Sequence, residues 1–461
     1  MEQGLYLILL MVLSIFLVVM DRRLPIEKRL RRKYGIDREY WVPVIALVTG
    51  LAISLVEFAS LRTAFIERIG VIALIFSFGV MSAGLGKSGF FRFIAYRGVE
   101  KSKGNTKRLL LTMFVATSAV TFFTTNDIVV LLLTPIMIEI CHEAEIENGK
   151  LLLLGQFIAA NTLSMGLMIG SPTNIIVAET VGLDFFQYML IMALPALTSF
   201  LASLGVLYLS IKASKTSLPF FRDLEFKETY NIPEENPEPD FTAQMRDWLL
   251  IFAFFVATVA VTTYMDISLL YSAIPAIIIS LTYWQLSDKH TKSVKRPLKQ
   301  LPYGIFFFGM SFFTFAQQFS KTGLLNQKLV PLFQANLDSF LAPVYSTAFS
   351  GLMVNTFNDL PASALIAQTI PKLEMAESVR IITLQSTLTG LNVGTYLTPV
   401  GALAGLIWFN EMRKENRKRE REVEIPKRTD LIKYGAFNFT AVTLLTGTVL
   451  ILEKIALQAL L

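Results

Sequence analysis

Thr124-Thr125-Asn126-Asp127-Ile128-Val129-Val130-Leu131-Leu132-Leu133-Thr134-Pro135 sets an amide, a carboxylate and a proline inside an otherwise apolar stretch. Asn355-Thr356-Phe357-Asn358-Asp359-Leu360-Pro361-Ala362-Ser363 repeats the Asn-Asp pair beside a proline in the second half of the chain. Each is followed by a second interrupted apolar stretch. The first reads Asn161-Thr162-Leu163-Ser164-Met165-Gly166, then Gly170-Ser171-Pro172-Thr173-Asn174. The second reads Gly390-Leu391-Asn392-Val393-Gly394-Thr395-Tyr396-Leu397-Thr398-Pro399-Val400-Gly401. A carboxylate amid apolar residues is expensive unless it faces polar partners or a cavity. Helices that break in corresponding places of two halves mark a solute site.

Composition sets the medium. Of 461 residues 53% are hydrophobic and only 17% charged, with 36 phenylalanines, which excludes a string of ordinary soluble domains and indicates a polytopic helical membrane protein. The run from Tyr6 to Met20 ends at Asp21-Arg22-Arg23 with no small-residue cleavage site, so it is expected to be a retained helix. The +6 charge lies in loops between apolar runs, which fits membrane orientation and argues against a nucleic-acid partner. One cysteine, Cys141, excludes an intramolecular disulfide, and two histidines with one thiol make a structural zinc site a poor expectation.

Basic residues fix the expected topology. Residues 21–40 hold eight Lys/Arg, 86–108 seven, 286–300 five and 410–432 eight, so all four loops are expected on the cytoplasmic side. They all fall there only if 109–140 enters and returns as a re-entrant hairpin, and 341–375 does the same from the opposite face. The expectation is an all-α polytopic membrane protein with inverted repeats, about ten spanning segments, two opposed re-entrant hairpins, discontinuous helices and both termini outside. Residues 1–210 form the first repeat, with hairpin 109–140 and broken helix 151–183. Residues 211–246 are the inter-repeat linker. Residues 247–461 form the inverted second repeat, with hairpin 341–375 and broken helix 379–409. Residues 88–98 mix aromatics with arginines as an interfacial helix does, and 323–335 are their counterpart.

The chemistry concentrates at the four breaks. Asn and Thr side chains, with carbonyls freed where helical bonding stops, can hold a small cation; amides at the start of a returning helix can face an anion. Thr125 or Asn126 can equally be an N-cap. Gly170 and Pro172 open the backbone, and Ser171, Thr173 and Asn174 supply polar groups there. No Lys or Arg occurs in any of the four stretches. A multiply charged anion would then need a co-bound cation or protonation. Glu57, Glu179, Asp184 and Asp266 lie near span ends, where a carboxylate can stay wet. Gln156 and Gln385 occupy matched positions, as cavity-lining or helix-to-helix bonding residues. His142 and Cys141 are assigned no chemistry.

These stretches resemble the ion transporter superfamily, above all the arsenite permease and citrate-metal symporter group. Sodium/proton antiporters of the NhaD type and divalent-anion/sodium symporters are more distant relatives. Residues 390–408 look like the second broken helix of arsenite permeases, Asn358-Asp359-Leu360-Pro361 like their second hairpin tip, and Gly170 to Asn174 like the turn of divalent-anion symporters. The resemblance runs from about residue 41 to 453. It implies a homodimeric secondary transporter with a scaffold part and a moving part. It carries substrate binding onto Thr125, Asn126, Ser171, Pro172, Thr173, Asn174, Asn358, Pro361, Asn392, Thr395, Thr398 and Pro399. It carries ion coupling onto Asn126, Asp127, Asn174, Asn358, Asp359, Thr398 and Gly401. Na⁺ is a candidate occupant of both hairpin tips; no other cofactor is implied. The tips read Thr-Asn-Asp and Phe-Asn-Asp where the divalent-anion symporters have Ser-Asn-Thr.

An ion-coupled secondary permease for a small inorganic or organic anion, multi-pass in the plasma or cell inner membrane, is therefore the expected function. A Na⁺/H⁺ antiporter is the alternative. Channels favour a pore-lining ring in a short repeated subunit, and no Walker loop is present for a nucleotide-driven pump. An enzyme is not expected.

Overall fold

A computed structural model describes residues 2–19, 38–213, 229, 240–287, 303–337, 339–418 and 422–460. Most of the expected linker 211–246, most of loop 21–40, nearly all of loop 286–300 and residues 419–421 of loop 410–432 lie outside the described residues. The described elements are helices, with two isolated bridges joining Asn105 to Thr229 and Asn148 to Glu424.

The first half carries α1 (Glu2–Val19), α2 (Arg38–Ala52), α3 (Phe58–Ser88), α4 (Phe90–Ser102), α5 (Thr106–Phe123), α6 (Asn126–Glu143), α7 (Lys150–Thr162), α8 (Pro172–Val181) and α9 (Phe185–Ala213). The second half carries α10 (Ala243–Tyr264), α11 (Leu270–Ser287), α12 (Tyr303–Lys321), α13 (Val330–Leu337), α14 (Ala342–Phe357), α15 (Asp359–Thr369), α16 (Glu377–Val393), α17 (Leu403–Asn416) and α18 (Arg428–Leu460). Packing repeats with this order. Helix α2 packs on α12 as α11 does on α3; α5 packs on α7 as α14 does on α16; α8 packs on α15 as α17 does on α6. These matched helix pairs are symmetric contacts of the kind a repeat architecture makes.

By length and composition α3, α5, α9, α10 and α18 can each cross a membrane. Their outer faces are apolar: on α9, Leu190, Leu194, Leu197 and Leu201 are exposed in a stripe at helical spacing, as lipid-facing residues are. Other expected spans are shorter apolar helices, such as Glu2–Leu17 and Trp41–Ala52.

Helix α4 is the base on which the first hairpin stands. Gly89 (φ +87°) ends α3 in the left-handed region and starts α4 directly, a turn that favours glycine. Thr112 of α5 hydrogen-bonds the Gly98 carbonyl of α4 at 3.3 Å, while Arg92 and Tyr96 of α4 bond Glu139 and Glu143 at the end of α6. Both ends of the α5–α6 pair thus rest on one helix. Although α5 is long enough to cross a membrane alone, its helix stops at Phe123 and α6 starts at Asn126. In the second half α13 touches α14, and Gln334 within α13 exchanges two bonds with the Glu374 backbone, at 2.8 and 3.0 Å.

The two bases lie at opposite ends of α18. Glu424, just before α18, exchanges backbone bonds with Glu147 and Gly149 at 2.7 and 3.1 Å. Lys454, near its end, donates to the carbonyls of Leu337 and Ser339 at 3.1 and 3.3 Å. At ~1.5 Å per residue the helix separates these points by roughly 39 Å.

Helices α14 and α16 approach through glycine. A Cβ on Gly390 would lie 2.2 Å from the Thr347 carbonyl oxygen, and one on Gly394 2.5 Å from Gly351 Cα. Backbone cannot move aside as a flexible side chain can. Gly390→Ala is expected to destabilise the detergent-solubilised protein by about 1–3 kcal/mol. Gly205→Ala on α9, where an added Cβ meets nothing within 4 Å, is the neutral control in the same thermal-unfolding measurement.

Candidate functional site

The helices break at the interrupted stretches: α5 ends at Phe123 and α6 starts at Asn126, and α14 ends at Phe357 and α15 starts at Asp359. The first hairpin spans 106–143 rather than 109–140, because Asn105 caps α5 by accepting the Arg108 amide at 3.0 Å and α6 continues past Cys141. The second has arms α14 and α15 and closes in a 3₁₀ turn at Ile370–Lys372. Between α7 and α8 lie two 3₁₀ turns, Leu163–Gly166 and Met168–Gly170. Between α16 and α17 lie Gly394–Tyr396 and an irregular stretch to Ala402.

Each interruption frees backbone carbonyls, and asparagine amides bond them. Asn174 Nδ2 donates to the carbonyls of Ser164 and Leu167 at 3.0 and 3.1 Å, closing the first broken helix. Asn355 Nδ2 donates to Gly351 and Gly394, both at 2.8 Å, and Asn358 Nδ2 reaches the Val400 carbonyl at 2.9 Å. Asn126 Nδ2 bonds Asn161 Oδ1 at 2.9 Å, while its own Oδ1 accepts the Asp127 amide at 2.9 Å. Thr125 precedes α6 without a side-chain capping bond, so the capping interpretation does not account for it.

Among the contacts between the halves, one amide pair joins the broken helices directly. Asn392 Nδ2 donates to Asn174 Oδ1 at 2.8 Å and to the Leu388 carbonyl at 2.9 Å, joining the two broken helices across the repeat. Near them Thr395 bonds the Asn392 carbonyl, Thr398 bonds Asn355 Oδ1 at 2.7 Å, and the Gly401 amide bonds the Thr398 carbonyl at 3.1 Å. Ser171 uses its carbonyl to accept the Asn174 and Ile175 amides, and Pro172 opens α8. Pro361 is buried in the first turn of α15, and Pro399 stands in the irregular stretch before α17.

Asp127 and Asp359 each stand in the first turn of a hairpin's second arm. Asp359 accepts the Leu360 amide at 3.0 Å. Asn358, with φ +70° and ψ 162°, holds a backbone conformation that a residue with a side chain rarely adopts, and such strain gathers at functional sites. The buried oxygens without a protein partner among the described residues include Asn358 Oδ1, Ser164 Oγ and Thr173 Oγ1. All three lie in the breaks.

The remaining candidates resolve into packing. Gln156 Oε1 accepts Thr134 Oγ1 and Trp408 Nε1 at 3.2 and 3.3 Å; Gln385 bonds the Ile191 carbonyl and Glu453. Glu57 pairs with Lys321 at 2.9 Å, whose hydrogen bond and charge hold its carboxyl below the usual range. Glu179 pairs with Arg68 at 3.0 Å, and Asp184 caps α9. Asp266 lies in the α10–α11 turn, and Cys141 is buried. Asn161 and Asn355 are functional-site neighbours that the sequence reading quoted without assigning; an asparagine inside an apolar helix was the available signal. Among the described residues no three His, Cys, Asp or Glu side chains converge as a metal cluster.

The family profile described as citrate transporter matches residues 38–394. An arsenical pump membrane protein of Escherichia coli (strain K12) is 23% identical over 341 residues, covering 73% of this chain and 77% of its own. A second Escherichia coli arsenical pump membrane protein is 21% identical over 379 residues, covering 82% and 86%. The arsenical pump membrane protein of Yersinia enterocolitica is 22% identical over 340 residues, covering 73% and 77%.

The Asn174–Asn392 bond is testable by a double-mutant cycle. Each single alanine variant is expected to lose about 1–3 kcal/mol by leaving buried groups unpaired. A coupling of about 0.6 kcal/mol or more is expected, the usual scale for helix-to-helix bonds in membranes. Strict additivity in chemical unfolding would remove this bond as a tie between the halves.

Proposed function

This chain belongs to the citrate transporter family of the ion-transporter superfamily, and from that premise we propose that it is an ion-coupled permease working by alternating access. As a member it is a secondary-active, multi-pass membrane transporter of a small ion or anion, and not an enzyme. The proposed cargo is a small inorganic or organic anion, or its protonated form, carried across the plasma or inner membrane with Na⁺ or H⁺. The relatives' descriptions make citrate and arsenic oxyacids the first substrates to try.

The observation that carries this reading is the division of labour among the break residues. The asparagine donors bond the chain's own carbonyls and neighbouring amides, and no Lys or Arg is present in the breaks. What is left consists of two carboxylates, Asp127 and Asp359, one at the start of each hairpin's second arm, and oxygens of Asn358, Ser164 and Thr173 without a protein partner among the described residues. Such a set attracts cations and binds an anion poorly by itself. A co-transported cation or proton satisfies both. Asp127, Asp359, Asn126, Asn358, Asn174, Thr398 and Gly401 are the proposed coupling residues. Thr125, Ser171, Pro172, Thr173, Pro361, Asn392, Thr395 and Pro399 complete the proposed substrate walls.

The bases of the hairpins at opposite ends of α18 support a pair of re-entrant hairpins opening to opposite faces, within inverted repeats 1–210 and 247–461. Ten spans and a homodimer belong to the same proposal. The paired carboxylates also favour a second reading, a Na⁺/H⁺ antiporter of the NhaD type, since they can exchange one cation for another with no anion.

Proteoliposomes separate the two. Internal pH is followed alongside uptake of citrate, arsenite, phosphate and sulfate under imposed Na⁺ and H⁺ gradients. The permease predicts gradient-driven anion uptake, cut at least tenfold by Asp127→Asn and by Asp359→Asn. Sodium-driven pH change without anion uptake selects the antiporter. Full gradient-driven transport in both variants would take the aspartates out of coupling.

A further inference from the structure

Helices α4 and α5 enclose a groove of about 430 Å³ that the transport site does not use. Leu111, Val115, Ala116 and Ala119 of α5 line its length, and Arg97 and Lys101 of α4 stand on it. Its floor is apolar. Val115 and Ala119 are exposed, as are both cations, so the groove opens outward rather than into the protein. Arg97 pairs with Glu100 at 2.7 Å and lies 5.4 Å from the Phe93 ring centroid. That ion pair is half exposed, with 46% and 50% of the two side chains accessible, so water competes for it and another anion can replace it.

We propose that this groove binds one anionic phospholipid, its acyl chain lying along α5 and its phosphate held by Arg97 and Lys101. An apolar trough beside two surface cations matches an amphiphile with a negative head. The stretch 86–108 with its seven basic residues places the groove at the cytoplasmic leaflet, where anionic lipids concentrate. A soluble anion has no use for the trough, and an uncharged lipid has none for the cations. The site lies between the first hairpin's arm and its base, so an occupant would stiffen that joint. The inference rests on the membrane reading of the chain and is independent of which solute is carried.

Native mass spectrometry of the detergent-purified protein tests it without any transport assay. Phosphatidylglycerol is expected to be retained at least tenfold over phosphatidylcholine of the same chains. Arg97→Gln with Lys101→Gln should abolish that preference, while Arg97→Lys with Lys101→Arg keeps it. Ala119→Trp, which fills the trough, should remove bound phosphatidylglycerol, and the milder Ala116→Val should weaken it if the tryptophan variant does not fold. Equal retention of both lipids, or phosphatidylglycerol binding untouched by the glutamine pair, overturns the proposal. So does displacement by inorganic phosphate at the concentration of lipid, or a change in oligomeric state of the glutamine pair with lipid retained, which would assign the groove to a second copy.

Discussion

Interrupting a helix where water is absent leaves carbonyls and amides that must find partners inside the protein. Four interruptions in one chain multiply that demand, and asparagine is how this sequence meets it. Its amide reaches carbonyls three or more residues away while its oxygen stays available for another donor. Asn174 shows the economy: two bonds close the gap between α7 and α8, and the remaining oxygen accepts Asn392 from the other half. Closing the break and joining the repeats are therefore one set of bonds.

That arrangement explains how much of the molecule was legible in the sequence. Hairpins, broken helices and the helices at 90–102 and 325–337 come from local signals: proline and glycine positions, apolar length, and charge in the loops. Their ends moved by a few residues because caps such as Asn105 and the continuation of α6 depend on packing. Asn126, Asp127, Asn358 and Asp359 stood out since polar residues in apolar segments announce themselves. The partners did not. Asn174 and Asn392 are separated by 218 residues, and no periodicity relates them. Asn126 likewise bonds Asn161, a partner 35 residues away that no local signal announces.

The matched helix pairs are unequal in chemistry. At the first hairpin's base, Arg92 and Tyr96 bond the carboxylates of Glu139 and Glu143. Burial first, and then the Glu143 carboxylate, hold the Tyr96 phenol above its usual range, so it stays a donor. At the second base Gln334 bonds the Glu374 backbone and Lys372 bonds Asn326 at 3.0 Å, with no carboxylate in either contact. The exposed Arg92–Glu139 ion pair of the first base is screened by salt, whereas the Gln334 bonds to backbone at the second are neutral. A transporter that alternates between two states needs them close in energy, and two bases of identical strength are one way to keep them so. Here the bases differ in kind: an Arg–Glu pair and a Tyr–Glu bond at one, a Gln–backbone pair and a Lys–Asn bond at the other.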